Sequence, residues 1–120
     1  MPFATKYVLI ANMDIDPDKE DLFNEIYDTE HVPYFLTVPG VNSAARLKSI
    51  PLTMNRPSGP QTYEAAGVLA YSAVYEIDGP DVLLTAAWSD MVDKGRWATE
   101  VRPFTKNRHY ELRKVIWPGG

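Results

Sequence analysis

The stretch LAYSAVYEI, Leu69 to Ile77, decides the fold because both of its faces are largely apolar. Successive side chains of a strand point to opposite faces of the sheet. A sheet with one face in water should therefore alternate apolar and polar residues. Here both alternating sets are mostly apolar: Leu69, Tyr71, Ala73, Tyr75 and Ile77 on one face, and Val68, Ala70, Ser72 and Val74 on the other. This pattern predicts an inner strand that is covered on both sides.

Three further strands are predicted around this one. The segment Lys6 to Met13, KYVLIANM, is rich in β-branched residues and repeats the double apolar pattern. Residues 41–50 predict a second strand of weaker pattern, and His109 to Trp117, HYELRKVIW, predict the last.

The first helix is predicted to follow the first strand. Asp16 is suited to the N-cap and Pro17 to the first helical position. Pro33 disfavours helical geometry at the residue before it, so we expect a stop or kink there and a short turn that ends at Gly40. One helix face carries apolar and ionisable residues at spacings of three and four: Phe23, Ile26, Tyr27, Glu30, His31 and Tyr34.

A second helix is predicted within residues 78–97, with Pro80 near its start and Gly95 as its stop. Its inward stripe would be Leu84, Ala87, Trp88 and Met91. Residues 51–67 contain three prolines and two glycines without periodicity. They predict a long loop that is mobile or functional.

The element order β-α-β-β-α-β predicts an α+β fold, the ferredoxin-like arrangement with a four-stranded antiparallel sheet, in one domain of residues 1–120. Right-handed crossovers place both helices on one face of that sheet. The other face is apolar and uncovered, and such a face requires a partner. We therefore expect a homodimer that pairs sheet face to sheet face.

The composition limits the classes of function. The 120 residues carry a net charge of −4, which disfavours binding to nucleic acid or to acidic membrane surfaces. Cysteine is absent, which excludes disulfides, thiolate catalysis and cysteine-ligated metals. No signal peptide or membrane span is recognisable, so a cytoplasmic location is expected.

Several segments resemble a known family. FNEIYDTEHVPYFLTVPGV, at 23–41, has an aromatic and acidic segment that leads into the Glu30-His31-Val32-Pro33 step. With YEID, AW, KGRW and VRP further along, it resembles the EthD-like branch of the dimeric α+β barrel superfamily over about residues 6–117. The resemblance implies a homodimer whose sheets form a shared barrel, with a pocket between each sheet and its helices. That superfamily includes cofactor-free monooxygenases, haem-binding enzymes, muconolactone isomerases and polyketide cyclases or decarboxylases, so the fold does not choose the reaction.

His31 is the leading candidate for catalysis. It lies one turn after Tyr27 on the same helix face, and an imidazole can give and take protons near neutral pH. Glu30 or Asp28 could orient its ring or raise its pKa. The alternative is a structural histidine that binds the last carbonyls of the helix.

Other residues complete the candidate site. Tyr27 and Tyr75 could donate hydrogen bonds to an enolate oxygen, or could simply fill the core. Trp88 could wall a substrate ring, and Asn12, which interrupts the apolar first strand, could line the same pocket. Arg46 and Arg102 could anchor a carboxylate, or could be surface or interface residues. His109 is expected to face solvent.

Three functions remain open. The first is a cofactor-independent enzyme, of the isomerase, cyclase, dehydratase or decarboxylase type, that transfers protons on a cyclic or aromatic carbonyl compound or acid. The second is a haem-binding or O₂-using oxidoreductase, with His31 or His109 as the available imidazoles. The third is a non-catalytic dimeric binder. No HExxH, GxGxxG, P-loop or GxSxG motif is present, so no metal and no cofactor are predicted.

Overall fold

The computed structural model describes residues 3–118, which contain one four-stranded antiparallel sheet and one separate hairpin. The sheet strands are β1 (Tyr7–Ile15), β2 (Val41–Lys48), β5 (Tyr71–Ile77) and β6 (Thr105–Lys114). Their order is β2-β5-β1-β6, so the predicted ferredoxin-like fold is confirmed. Strand β5, which lies within the apolar segment Leu69 to Ile77, is an inner strand, as predicted.

The first helical segment runs without a break through Pro33. Helix α1 (Glu20–Ile26) passes into a π-helical turn (Tyr27–His31) and then into α2 (Val32–Phe35). In this wider turn the Val32 N–H donates to the Tyr27 carbonyl, five residues back. Proline has no N–H to donate, and the wider turn lets the chain stay helical there. The expected kink is therefore a π-turn, a feature frequent at functional sites.

Asp16 does not cap this segment with its side chain. It has the extended conformation of an N-cap, and Pro17 begins a 3₁₀ turn as its first residue. The Asp16 carboxylate instead lies 2.5 Å from Lys106 Nζ. The helical segment thus begins where predicted, but the Asp16 side chain makes no capping hydrogen bond.

The second helical region is divided, and the prediction of one helix over 78–97 is wrong. A 3₁₀ turn (Pro80–Leu84) is followed by Thr85 in extended conformation, and helix α3 (Ala86–Val92) begins after it. The Thr85 hydroxyl accepts the backbone N–H of Trp88 at 3.1 Å and so caps α3. A π-turn (Trp97–Val101) and a 3₁₀ turn (Arg102–Phe104) lead into β6.

This division changes which residues face the core. Leu84 is 82% exposed, so its place in the inward stripe is wrong. Ala87, Trp88 and Met91 pack against the core as predicted. Gly95 has φ +74° and ends the region, as expected of a C-terminal glycine.

Residues 51–67 are not a structureless loop. They contain the hairpin formed by β3 (Leu52–Arg56) and β4 (Gly59–Tyr63), and every residue of β3 is exposed. Pro60 lies opposite Asn55 in a two-stranded hairpin, where a missing N–H is tolerated. The last strand was also misplaced, because it begins at Thr105 and ends at Lys114 instead of covering 109–117.

The two faces of the sheet differ. The helical layer covers the face that includes Leu9, Ala11, Tyr75 and Ile77, which are buried. The opposite face presents Ile10 and Val74, but also a Ser72 hydroxyl that donates to Asn12 Oδ1 at 2.5 Å. This free face is therefore mixed in character rather than uniformly apolar.

The helical layer does not extend over β6. Tyr110 pairs with Ala11 and Leu112 pairs with Leu9, so both lie on the helix side, yet they are 58% and 44% exposed. The gap beside this edge strand leads to the interior between sheet and helices. No helix within residues 3–118 has the length and apolar character to cross a bilayer.

Candidate functional site

A cavity of about 510 Å³ lies between the helical layer and the sheet and opens beside β6. Its volume is in the range of small-molecule sites. Its walls are mostly aromatic and aliphatic, with a few polar groups: Leu9, Ala11, Met13, Tyr27, His31, Phe35, Tyr75, Leu83, Trp88, Val92, Trp97, Arg102, Arg108 and Tyr110.

His31 ends the π-turn and lines this cavity. It is 6% exposed, and its ring stacks on Trp97 at 4.0 Å between centroids. Tyr27 and Phe35 contact the same ring edge-on. Its Nδ1 atom is buried and has no hydrogen-bond partner among the described residues. The bonds to helix carbonyls that the structural alternative requires are therefore missing at Nδ1.

Burial lowers the pKa of His31 to about 3, and the positive charge of Arg102 contributes in the same direction. The imidazole is thus neutral near pH 7 and is surrounded by aromatic rings. Burial makes the protonated form of this imidazole unfavourable unless an opposite charge lies beside it. The environment therefore ties its protonation to the chemistry of a bound ligand.

Neither neighbouring carboxylate orients His31, contrary to expectation. Glu30 Oε2 lies 2.5 Å from Arg96 Nε, and Glu30 Oε1 accepts the Arg96 backbone N–H at 3.0 Å. These bonds, the backbone one first, lower the pKa of Glu30. Asp28 Oδ1 pairs with Arg46 at 2.8 Å. Both acids are thus engaged in ion pairs outside the cavity lining.

Tyr27 and Tyr75 come together in the cavity as the sequence suggested. Burial raises the pKa of Tyr27 to about 12, and burial with the neighbouring Tyr27 raises the pKa of Tyr75 further. The Tyr75 hydroxyl is buried and has no partner of ordinary hydrogen-bond geometry among the described residues. Both phenols therefore remain protonated and can donate hydrogen bonds to a ligand oxygen.

Aromatic rings wall the rest of the cavity. Trp88 lines it as predicted and stacks on Phe35 at 4.2 Å. Trp97, which holds the His31 ring, was not recognised as a site residue from the sequence. Its only signal was its position just after the Gly95 stop, in the KGRW segment of the family resemblance.

The two arginines considered for a carboxylate have different positions. Arg102 lines the cavity. Its Nη2 atom donates to the Val92 carbonyl and lies 2.6 Å from Asp93 Oδ1. Arg46 does not line it. Its guanidinium lies 4.4 Å from the centre of the Tyr27 ring and donates to Asn24 and Asp28.

Asn12 is on the free face of the sheet, so the expectation that it lines the pocket is wrong. Its neighbours there are Ser72 and Glu111. Alternation along β1 explains this, because Ala11 and Met13 point to the helices and residue 12 must point away. His109 pairs with Asn12 and is exposed, as expected. Within residues 3–118, no group of three His, Asp or Glu side chains could hold a metal ion.

Comparisons with known proteins support the fold. The sequence matches no protein-family model and no curated protein. An ethyl tert-butyl ether D (EthD) family protein from Bacillus halodurans is similar in structure, with a TM-score of 0.59 and 15% identity over 92% of this chain and 99% of that one. The haem degrader MhuD from Mycobacterium tuberculosis, with two haems bound in its active site, is also similar in structure. Its TM-score is 0.62 and its sequence identity 11%, over 95% of this chain and 99% of that one.

A third similar structure is that of a dimeric protein. A dimeric ferredoxin-like protein from Thermobifida fusca, of unknown function, gives a TM-score of 0.57 and 16% identity over 94% of each chain. At these identities the likeness concerns the fold and not the reaction. The chain therefore has a ferredoxin-like fold, which it shares with an EthD family protein and with a dimeric ferredoxin-like protein.

Proposed function

We propose that this protein transfers a proton on a cyclic or aromatic carbonyl compound, with His31 as general acid and base. The observation that carries the proposal is the cavity itself, in which a buried neutral imidazole faces the same space as two phenol hydroxyls. Aromatic walls suit a flat ring, and the phenols suit a carbonyl oxygen. The arrangement supports isomerase, cyclase, dehydratase or decarboxylase chemistry without choosing among them.

The proton balance assigns a role to each group. His31 takes a proton from the carbon next to the carbonyl and becomes an imidazolium, while the carbonyl becomes an enolate. The hydroxyls of Tyr27 and Tyr75 donate hydrogen bonds to the enolate oxygen, where charge develops. The imidazolium then returns its proton to carbon.

The low pKa of His31 in the free protein is compatible with this role. Burial disfavours a lone imidazolium, but an enolate beside it supplies the opposite charge at short range. The proton transfer is therefore favoured only when the ligand is bound.

Haem binding is the second candidate, because MhuD shares the fold. A histidine that binds a metal usually donates its other N–H to a carboxylate or carbonyl, which fixes the ring. His31 Nδ1 has no such acceptor within residues 3–118. His31 therefore does not fit the role of an axial haem ligand.

We also propose that two copies pair through the free face of the sheet. A compact chain of this length has a radius of gyration of about 14 Å. The radius of gyration of this chain is 16.3 Å and its thickness only 20 Å, so the chain is flatter than a compact domain. Ile10, Val74 and the half-exposed Leu47 lie on this face, and the Thermobifida fusca protein of the same fold is dimeric. Light scattering should give a dimer at micromolar concentration, and a stable monomer would contradict this assembly.

The proton transfer is tested with a ketone that has exchangeable protons. 1-Tetralone in deuterium oxide should lose its α-proton signal faster with the protein than without it. His31→Gln keeps hydrogen-bonding capacity and cannot act as the base, so it should lose roughly 10²–10⁴-fold of that rate. His109→Gln, a change of the exposed histidine, should keep it.

Two results would overturn the proposal. The first is an exchange rate equal to that in protein-free buffer, which would indicate a non-catalytic binding protein. The second is an undiminished rate in His31→Gln, which would make this histidine structural. A Soret band on haem titration that His31→Ala abolishes would favour the haem-binding alternative.

A further inference from the structure

We infer that the ligand of this cavity carries a carboxylate, bound at the open side of the cavity by Arg102 and Arg108. This inference rests on the proposed function for the aromatic ring and adds the charge of the ligand. Arg108 was not recognised from the sequence, because it precedes the last strand as predicted and lies beside an irregularity in β6.

The irregularity is a β-bulge at Met13. Lys106 pairs with Asp14 and His109 pairs with Asn12, so Asn107 and Arg108 together oppose the single residue between them. Asn107 has φ +55°, and its side chain donates to Asp14 Oδ2 at 2.9 Å. Beyond the bulge the side chains of β6 alternate regularly, so Arg108 lies on the same face as Tyr110 and Leu112. Arg108 therefore lies on the cavity side of the strand.

The charge of the cavity is opposite to that of the chain. The protein as a whole carries −4, but the cavity wall contains two guanidinium groups and no carboxylate. Arg108 makes no ion pair with any residue in 3–118. Arg102 uses one nitrogen for Asp93 and Val92, and a guanidinium has five N–H donors. Donors therefore remain for an anion on the ligand.

The two ends of the cavity then match the two ends of one molecule. The ring and carbonyl lie toward Trp88 and Tyr75, and the carboxylate lies toward β6, where the gap in the helical layer gives access. An anion beside Arg102 also offsets the positive charge that disfavours protonation of His31. The ligand class is thus an aromatic or cyclic keto acid.

The test compares 2-naphthoate with 2-naphthamide, which have the same ring and nearly the same shape but differ in charge. Binding is followed by the quenching of tryptophan fluorescence at low salt. The naphthoate should bind about 10- to 100-fold more tightly, the range expected for charge-assisted hydrogen bonds. Added sodium chloride should reduce this preference, because the site is open to solvent.

Matched variants identify the residues that cause the preference for the naphthoate over the amide. Arg108→Gln should lose most of it without weakening the amide, and the fold should survive because the side chain is exposed and unpaired among the described residues. Arg102→Gln should act in the same direction. Arg113→Gln removes the same charge from the same strand on the free face, and it should keep the preference.

Equal affinities for the acid and the amide would overturn the inference, as would a preference unchanged in both cavity variants. The naphthoate has no exchangeable α-proton, so its binding does not depend on proton transfer. A charge preference without ketone exchange would refute the proposed function alone. Ketone exchange without a charge preference would refute this inference alone.

Discussion

The buried imidazole of His31 should make the protein less stable in mild acid. The pKa of this group is about 3 in the folded protein and about 6.5 in the unfolded chain. Between these values the unfolded chain binds the additional proton, so stability falls as the pH falls through this window. One pH unit is worth about 1.4 kcal/mol. At about pH 5, roughly 1.5 units below the unfolded pKa, the loss is about 2 kcal/mol.

Urea denaturation at about pH 7 and about pH 5 measures this loss, at one protein concentration because a dimer is expected. The free energy of unfolding of the parent should fall by about 2 kcal/mol more than that of His31→Gln. Any constant cost of the substitution cancels in this difference. His109→Gln should behave like the parent. A parent and a His31→Gln variant with equal pH dependence would refute the view that this imidazole is buried and neutral.

Three further predictions concern the backbone. Thr85→Ala should lower the free energy of unfolding by about 1 kcal/mol in urea titrations, because the cap of α3 is lost, and Thr85→Ser should restore it. Gly95→Ala should cost more than about 1 kcal/mol because φ is +74° and the new methyl group would collide with Glu30, whereas Gly79→Ala, in extended backbone with open space, should fold normally. Residues 52–63 should exchange their amide hydrogens faster than β5, and protection as slow as in β5 would contradict an exposed hairpin unless the dimer covers it.

The architecture was predictable because it depends on regular patterns. The apolar runs at residues 69–77 and 6–13 and the turn signals between elements predict the element order, and that order predicts the fold. His31, Tyr27 and Tyr75 were found because two lie one helical turn apart and the third lies on the inner strand. The family resemblance added weight to the histidine.

The errors concern local geometry that periodicity does not describe. The hairpin in 51–67 has no apolar alternation because it is exposed on both faces. Thr85 divides the second helical region through one side-chain bond, which a pattern of apolar spacing does not reveal. Arg108 was missed because the last strand was predicted to begin at residue 109, whereas Arg108 lies two residues before Tyr110, on the same face of β6.

The most direct measurement is a crystal structure of the His31→Gln variant with 1-tetralone bound. The ring should lie between the aromatic walls, with the ketone oxygen within hydrogen-bond distance of the Tyr75 or Tyr27 hydroxyl and the α-carbon facing residue 31. A ketone bound elsewhere on the protein would contradict the account. So would a ketone in the cavity whose α-carbon faces away from residue 31.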